Sequence, residues 1–264
     1  MAGGPAASVR RMKGYGKLCP VAKASEVFVQ RWTPLILREL LCGARRFGDL
    51  LQGLPLMSRA LLAARLKELE AYGLIAATPD PKGGSDYRLT PAGAALKAVI
   101  EELSAWGQTW GQGSIGPADL NVVQLAWAMR QHSDPVDRPE RRLVARLEFS
   151  GVPRRDIRNR IVWLVIEPRG FDVCLRYPGY EEQLVVRADL GAFTRTWLGY
   201  MGLAEARQAG KIAFEGKARD MAALRRAVGL ADRPQKKSFR FQSPEAALPA
   251  DATGEGRQTE AARA

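Results

Sequence analysis

The chain has 264 residues and carries 40 Lys plus Arg against 28 Asp plus Glu, a net charge of +12 with a sequence pI near 10. That length predicts about two domains, each able to bury a core without metal or disulfide help, and the basic balance points toward a polyanionic partner. A single histidine, His132, excludes His-rich metal sites. Three scattered cysteines (Cys19, Cys42 and Cys174) exclude a disulfide framework and a C-x-x-C metal site and suit a reducing cytoplasm.

No apolar run approaches the ~18–20 residues that span a bilayer, and the first residues lack the apolar region of a signal peptide, so no membrane partner is expected. Charge does not locate the function. Basic residues outnumber acidic ones by 15 to 9 in residues 1–113, by 20 to 15 in 114–234 and by 5 to 4 in 235–264. Residues 1–13 are expected to be a flexible N-terminus. Residues 235–264, rich in Ala, Gly, Pro, Gln and Glu, are expected to be a disordered tail.

In chain order, helical spacing covers Val21 to Gln30. Thr33-Pro34 then reads as an N-cap with proline at the first helical position, before a helix that Gly43 stops. Phe47 to Leu51 predicts a short helix, and Ser58 caps a longer one running to about Tyr72, with Gly73 just past its end. In that longer helix Leu61, Leu62, Leu66 and Leu69 form the apolar stripe and leave Arg59, Ala63, Arg65 and Lys67 toward other faces. Two short strands, Leu74–Thr78 and Asp86–Leu89, flank a Gly-rich turn. Thr90-Pro91 opens a further helix carrying Leu96, Val99, Ile100, Leu103, Trp106 and Trp110, an apolar side that predicts dimerisation. This order is that of a winged helix-turn-helix, whose longer helix enters the major groove while its hairpin approaches the backbone.

The early Cys-Pro, the Arg-Trp-Thr helix start, the Arg-Phe-x-x-Leu segment, the Leu-x-x-Leu-Glu helix and the Leu-Thr-Pro-x-Gly turn together resemble the HxlR family of bacterial winged-helix transcription regulators over about residues 14–110. The resemblance implies a homodimer on inverted-repeat operator DNA, with Ser58 to Glu70 as recognition helix and Lys82 to Ser85 as wing tip. Within it Arg59 and Arg65 are candidate base readers. Arg45, Arg46, Lys82 and Arg88 are candidate phosphate contacts, and Ser58 is a cap that also reaches a phosphate. Some relatives sense oxidants or electrophiles at the corresponding Cys-Pro position. Cys19, with Lys17 and Lys23 nearby to lower its pKa, is therefore a candidate redox site, against the plainer reading of an inert thiol.

Gly111 to Pro117 reads as a seam, giving a DNA-binding and dimerisation domain over 14–113 and a second domain over 117–231. In the second domain a helix from Asp119 to Met129 precedes strands at Arg142–Phe149, Arg160–Ile166, Phe171–Arg176 and Leu184–Ala188. Alternation in the first of these predicts a sheet with one buried and one wet face. A helix capped by Asp189, a short helix at Ala204–Gln208, a strand at Lys211–Gly216 and a helix at Asp220–Val228 complete an α+β chain. The Asp189-x-x-x-Phe-x-x-x-Trp helix and the Gly-Lys-Ile-x-Phe-x-Gly segment resemble the sterol carrier protein-type lipid-binding fold, a mostly antiparallel five-stranded sheet covered by helices. That resemblance implies an apolar or lipid effector in a pocket lined by Trp163, Phe171, Phe193, Trp197, Tyr200, Met201 and Phe214.

No Gly-rich phosphate loop, Ser-His-Asp set or metal spacing appears, so neither enzyme activity nor a cofactor is expected. His132, in a polar turn, and Glu181-Glu182, on a loop, read as solvated. The rival class is a lipid carrier whose helical half makes protein contacts.

Overall fold

The computed structural model describes residues 14–81, 83–111 and 115–235. The expected flexible N-terminus, Lys82 and nearly all of the expected tail lie outside the described residues. These residues divide into two compact units, 14–100 and 101–235, so the division falls inside a helix, N-terminal to the Gly-rich seam.

The first unit begins with α1 (Pro20–Phe28) and α2 (Thr33–Leu41). Thr33 is not the cap of α2. That place belongs to Trp32, held at φ 80°, and Thr33 is the first helical residue, buried at 2% exposure. A bulky residue in the left-handed region costs of the order of 1–3 kcal/mol and persists where its surroundings enforce it. Trp32 packs against the first-unit core, and the Arg31 guanidinium lies 5.3 Å from its ring centroid.

Next come α3 (Phe47–Gly53) and α4 (Arg59–Ala71). The Ser58 hydroxyl accepts the Leu61 N–H at 3.2 Å, as the sequence predicts. Tyr72 ends α4, and Gly73 follows with φ 67°, a conformation costly for a side chain. The wing is β1 (Ile75–Pro79) antiparallel to β2 (Ser85–Leu89), in register from Ile75↔Leu89 to Pro79↔Ser85.

The helix expected from Thr90 is two helices, α5 (Pro91–Ala95) and α6 (Lys97–Trp110), parted at Leu96. Thr90 caps α5 and also donates to Gly73 O at 2.5 Å. A Cβ at Gly93 would lie 2.0 Å from Leu74 O; glycine therefore lets α5 press against the entry to β1. Ile36, Leu37, Leu40, Leu50, Leu62, Leu66, Leu69 and Ile75 form the core beneath these elements.

The second unit holds the distal part of α6, then α7 (Val122–Gln131), β3 (Leu143–Ser150), β4 (Ile161–Glu167), β5 (Gly170–Cys174), β6 (Leu184–Asp189), α8 (Leu190–Trp197), α9 (Leu203–Gln208), β7 (Ile212–Gly216) and α10 (Ala218–Val228). α7 starts later than expected because Asn121, not Asp119, is its cap; the Asn121 side chain accepts Gln124 N–H at 2.9 Å. Asp189 caps α8 as expected, accepting Ala192 N–H at 2.9 Å.

The sheet order is β5-β4-β3-β6-β7, with β3 and β6 parallel and the other pairs antiparallel. One face carries Leu147, Phe149, Val162, Leu164, Ile166 and Val186 into a core shared with α7, α8, α9 and α10. The other face is not simply wet. Val144 is fully buried there, and Arg146 and Glu148 are half-buried. The reason is topological. Chain leaving β5 must pass β4 and β3 to reach β6, and residues 175–183 cross this outer face: Tyr177 meets Trp163 edge-on at 6.1 Å, and Glu182 accepts the Trp163 indole N–H at 2.7 Å. Glu182 is thus tied down rather than solvated. Similarly His132, ending α7, is half-buried with its ring 6.2 Å from Trp197.

Candidate nucleic-acid interface

Helix α4 buries Leu62, Leu66 and Leu69 and turns Arg59, Ala60, Ala63, Ala64 and Lys67 outward. The outward face is narrow in relief, methyl groups between two cations. A shape of this kind fits a major groove, where alanine methyls meet thymine methyls and arginine reaches guanine edges. Arg59 stands in the first turn with its guanidinium 5.2 Å from the Phe47 ring centroid, a stacking contact that keeps the charge at the surface. Lys67 forms no ion pair among the described residues and joins Arg59 on this face.

The other predicted contacts are placed as follows. Ser58 is exposed, and its hydroxyl is used in capping. Arg65 does not point outward with Arg59; its guanidinium donates to Glu68 at 2.6 Å and to Gln30, and its side chain is 22% exposed. The physical reason is helical spacing, since Arg65 follows Leu62 by three residues and lies on the flank of the buried stripe. Arg45 is half-buried, and burial, then the neighbouring Arg88, lowers its pKa while Asp86 opposes the shift. Its carbonyl accepts Tyr87 N–H at 2.8 Å, and Arg46 bridges Asp86, so the entry to α3 acts as a third strand against β2.

Arg46 also pairs with Asp80 at 2.7 Å, at the base of the wing turn, and Arg88 pairs with Asp86 at 2.6 Å. The two arginines keep 47% and 45% of their side chains exposed, so a phosphate can approach each while it stays on its largely buried carboxylate, Asp80 at 10% and Asp86 at 18%. Lys82 is outside the described residues. The structure therefore brings together Arg59 and Lys67 on α4 with Arg46 and Arg88 at the wing, and takes Arg65 away.

Cys19 caps α1 and is partly exposed, and the Lys23 ammonium goes to Glu26 at 2.9 Å rather than to the thiol. By contrast, burial pushes the Cys42 thiol up to about 12, with Arg38 opposing and Glu39 reinforcing. Burial and Asp172 raise that of Cys174.

Of the seven predicted pocket residues, Phe171, Phe193 and Trp197 are buried in the second-unit core, and Met201 and Phe214 pack partly buried against it. Phe193 meets Phe149 edge-on at 5.4 Å, and Trp197 donates to Val228 O at 3.0 Å. Tyr200 is half-buried and lines a cleft of about 250 Å³ with Leu198, Gly199 and Pro234 among others. Burial raises its pKa, with Arg195 opposing. Trp163 does not join these residues. It alternates out of phase with Val162 and Leu164 and lies on the other sheet face, beneath the crossing segment. Among the described residues no three His, Cys, Asp or Glu side chains are grouped to hold a metal, and no helix is long and apolar enough to cross a membrane.

A capped helix presented outward beside a two-stranded wing defines a winged-helix DNA-binding unit. Residues 27–114 match the HxlR-like helix-turn-helix family. Over 97 residues the chain is 36% identical to the uncharacterized HTH-type transcriptional regulator YvaP of Bacillus subtilis, covering 36% of this chain and 90% of that protein. Over 118 residues it is 42% identical to the uncharacterized HTH-type transcriptional regulator Rv3095 of Mycobacterium tuberculosis, covering 44% of this chain and 72% of that one. Among solved structures, the reduced form of the transcriptional regulator YodB from B. subtilis is 32% identical and covers 37% of this chain and 98% of its own, with a TM-score of 0.33. The chain belongs to the HxlR family of DNA-binding transcription regulators and carries a sheet-rich second unit besides.

Proposed function

We propose that the protein binds inverted-repeat operator DNA as a homodimer, with α4 of each protomer in a major groove and the wing against the flanking backbone. The observation that carries this reading is the outward face of α4, where Arg59 and Lys67, without an ion pair among the described residues, flank a row of alanines. Dimerisation is supported by α6, where Val99, Leu103, Trp106 and Trp110 recur at helical spacing and the two tryptophans are 62% and 73% exposed. An apolar stripe of this kind marks an interaction surface. Two such protomers would address half-sites about 34–36 Å apart. Sedimentation of Trp106→Ser/Trp110→Ser tests it: the expected product is a monomer with weakened DNA binding, and an unchanged dimer that binds normally would contradict the assignment.

In this reading residues 14–113 are the DNA-binding and dimerisation module, and residues 117–231 are a sterol carrier-like module that senses an apolar small molecule or lipid in the cytoplasm, without catalysis. Support comes from the helix-covered sheet with its single parallel pair, and from five of the seven candidate lining residues belonging to the core on the helical side. Occupancy would shift the population between dimers that fit and do not fit both half-sites, a coupling of about 1–3 kcal/mol. Native mass spectrometry for a co-purifying lipid, followed by DNA titration with and without it, is the test. No bound molecule, and no response to fatty acyl or sterol probes, would remove the sensor.

A second reading, redox control through Cys19, is favoured by one observation: of the three thiols, this one stands partly exposed at a helix N-terminus. Retained effector response in Cys19→Ser would set it aside.

A further inference from the structure

The basic excess of the second half is not spread along it. Residues 114–234 hold 20 basic and 15 acidic residues, and the seven from Arg154 to Arg160, with four arginines and one aspartate, supply three of that excess of five. They form the connection from β3 to β4, most of it a 3-10 segment, Arg154–Asn159.

Its one carboxylate is turned inward and occupied. Asp156 keeps 14% of its side chain exposed, accepts the Asn121 amide at 3.2 Å beside the start of α7, and pairs with Arg155 at 3.4 Å. Arg155 also donates to Ala118 O. At the other end the sheet fixes the segment, since Arg160 O accepts Phe149 N–H at 2.8 Å. Arg154, Arg158 and Arg160 are exposed, and none of the three side chains forms an ion pair or hydrogen bond among the described residues.

Crowded like charges repel one another, and a clamped segment that holds them outward is pre-organised for an anion from outside. Guanidinium forks match phosphate oxygens. The one exposed apolar side chain of the segment, Ile157, offers too little apolar surface to enter a membrane. Helix α6 runs through the division between the two units, so DNA held by α4 meets the second unit at the high effective concentration of a tethered partner.

We infer that the β3–β4 connection is a second DNA contact, in which Arg154, Arg158 and Arg160 engage backbone phosphates whatever the base sequence. The inference extends the reading above, in which the first unit alone touches DNA, and it rests on that reading for the choice of polyanion. Phosphate contacts position a protein without specifying a sequence, so the second unit adds affinity and salt dependence but no base preference.

The test uses the full chain and two duplexes of equal length, one enriched from a random-sequence pool by the wild-type protein and one of arbitrary sequence, with binding followed by fluorescence anisotropy across a salt series. Arg154→Ala/Arg158→Ala/Arg160→Ala should bind both duplexes about tenfold or more weakly at about 50 mM salt, with a salt slope shallower by about two or more, at least one phosphate per protomer. Its enriched base pattern should match the wild type. The corresponding triple lysine variant keeps the charges and should recover most of the slope. A control, Arg142→Ala/Arg187→Ala/Arg219→Ala, removes the same charge from ion-paired positions and should bind as the wild type does. Wild-type affinity in the first variant, a changed base pattern, an equal loss in the control, or losses that follow the folded fraction in thermal unfolding would each overturn the inference. Capture of the wild type, but not of the first variant, by phosphatidylserine vesicles with DNA binding unchanged would overturn it in favour of a membrane. Enrichment of no sequence by the wild type would overturn the operator reading alone, because the loss on the arbitrary duplex would still support this contact.

Discussion

In the second unit Arg142, Arg146 and Arg187 each meet a carboxylate, with Glu167 at 2.5 Å, Glu182 and Glu148 both at 3.3 Å, and Glu148 at 3.0 Å respectively. In the first unit Arg59 and Lys67 stand exposed on α4, and neither forms an ion pair among the described residues. Both halves of the sequence are basic, yet these three arginines over the second unit's sheet are absorbed by an ion-pair network, whereas α4 of the first unit leaves two cations on its outward face. Local pairing, not total charge, therefore separates a structural surface from one built for a polyanion.

The sharpest contrast is energetic. Phe193→Ala should destabilise the second unit by about 3–5 kcal/mol, since a fully buried ring in edge contact with Phe149 is removed. Differential scanning calorimetry should show the loss, and equal stability would mean the core is not packed as described. Arg59→Ala should weaken binding to a preferred duplex by about 1–3 kcal/mol and relax base choice, while Lys67→Ala, lost from both protomers, should lower the salt slope by about two. Arg142→Ala and Arg187→Ala should change neither. A reversal would erase the distinction between the two surfaces.

Smaller effects sharpen it. The Cys42 thiol is raised by burial from 9.0 to about 12. A folded pKa above the unfolded one contributes stability that is complete below pH 9 and is lost as pH climbs from about 9 toward 12. Wild-type protein should therefore lose thermal stability above pH 9 faster than Cys42→Ala, and parallel curves would refute the assignment. Smallest are the helix caps: Ser58→Ala in the first unit and Asp189→Ala in the second should each cost about 0.5–2 kcal/mol. Urea titration should detect both losses, and no shift in either variant would mean the cap hydrogen bonds are not formed as described.

Much of the fold was legible because local chemistry agreed with it. Ser58 and Gly73 bracket α4, Asp189 opens α8, and alternating apolar residues mark β3 and β4. What was not legible depended on distant partners. Thr33 followed by proline reads as a cap, but the corner at Trp32 displaces it by one residue. At Leu96 the chain parts α5, which lies against Leu74 at Gly93, from α6. Trp163 alternates with Val162 and Leu164 onto the outer face, and what covers it there, the β5–β6 crossing with Tyr177 and Glu182, depends on distant residues.

Along α4 the helix itself was legible, and so was the flank position of Arg65. The spacing from Leu62 to Arg65 was enough to place Arg65 on the flank of the buried stripe. Its partner Gln30 belongs to another helix end and could not be read from the sequence.

The central claim, that α4 presents Arg59 and Lys67 to DNA, is tested most directly by anisotropy titration of an enriched duplex between 50 and 200 mM salt with the Arg59→Ala/Lys67→Ala double variant beside the wild type. The wild type should bind steeply less as salt rises, by about 10³–10⁵-fold if roughly 6–10 phosphates are contacted across the dimer, and the variant should bind more weakly with a shallower slope. Matching affinities and slopes for the two proteins would contradict the account.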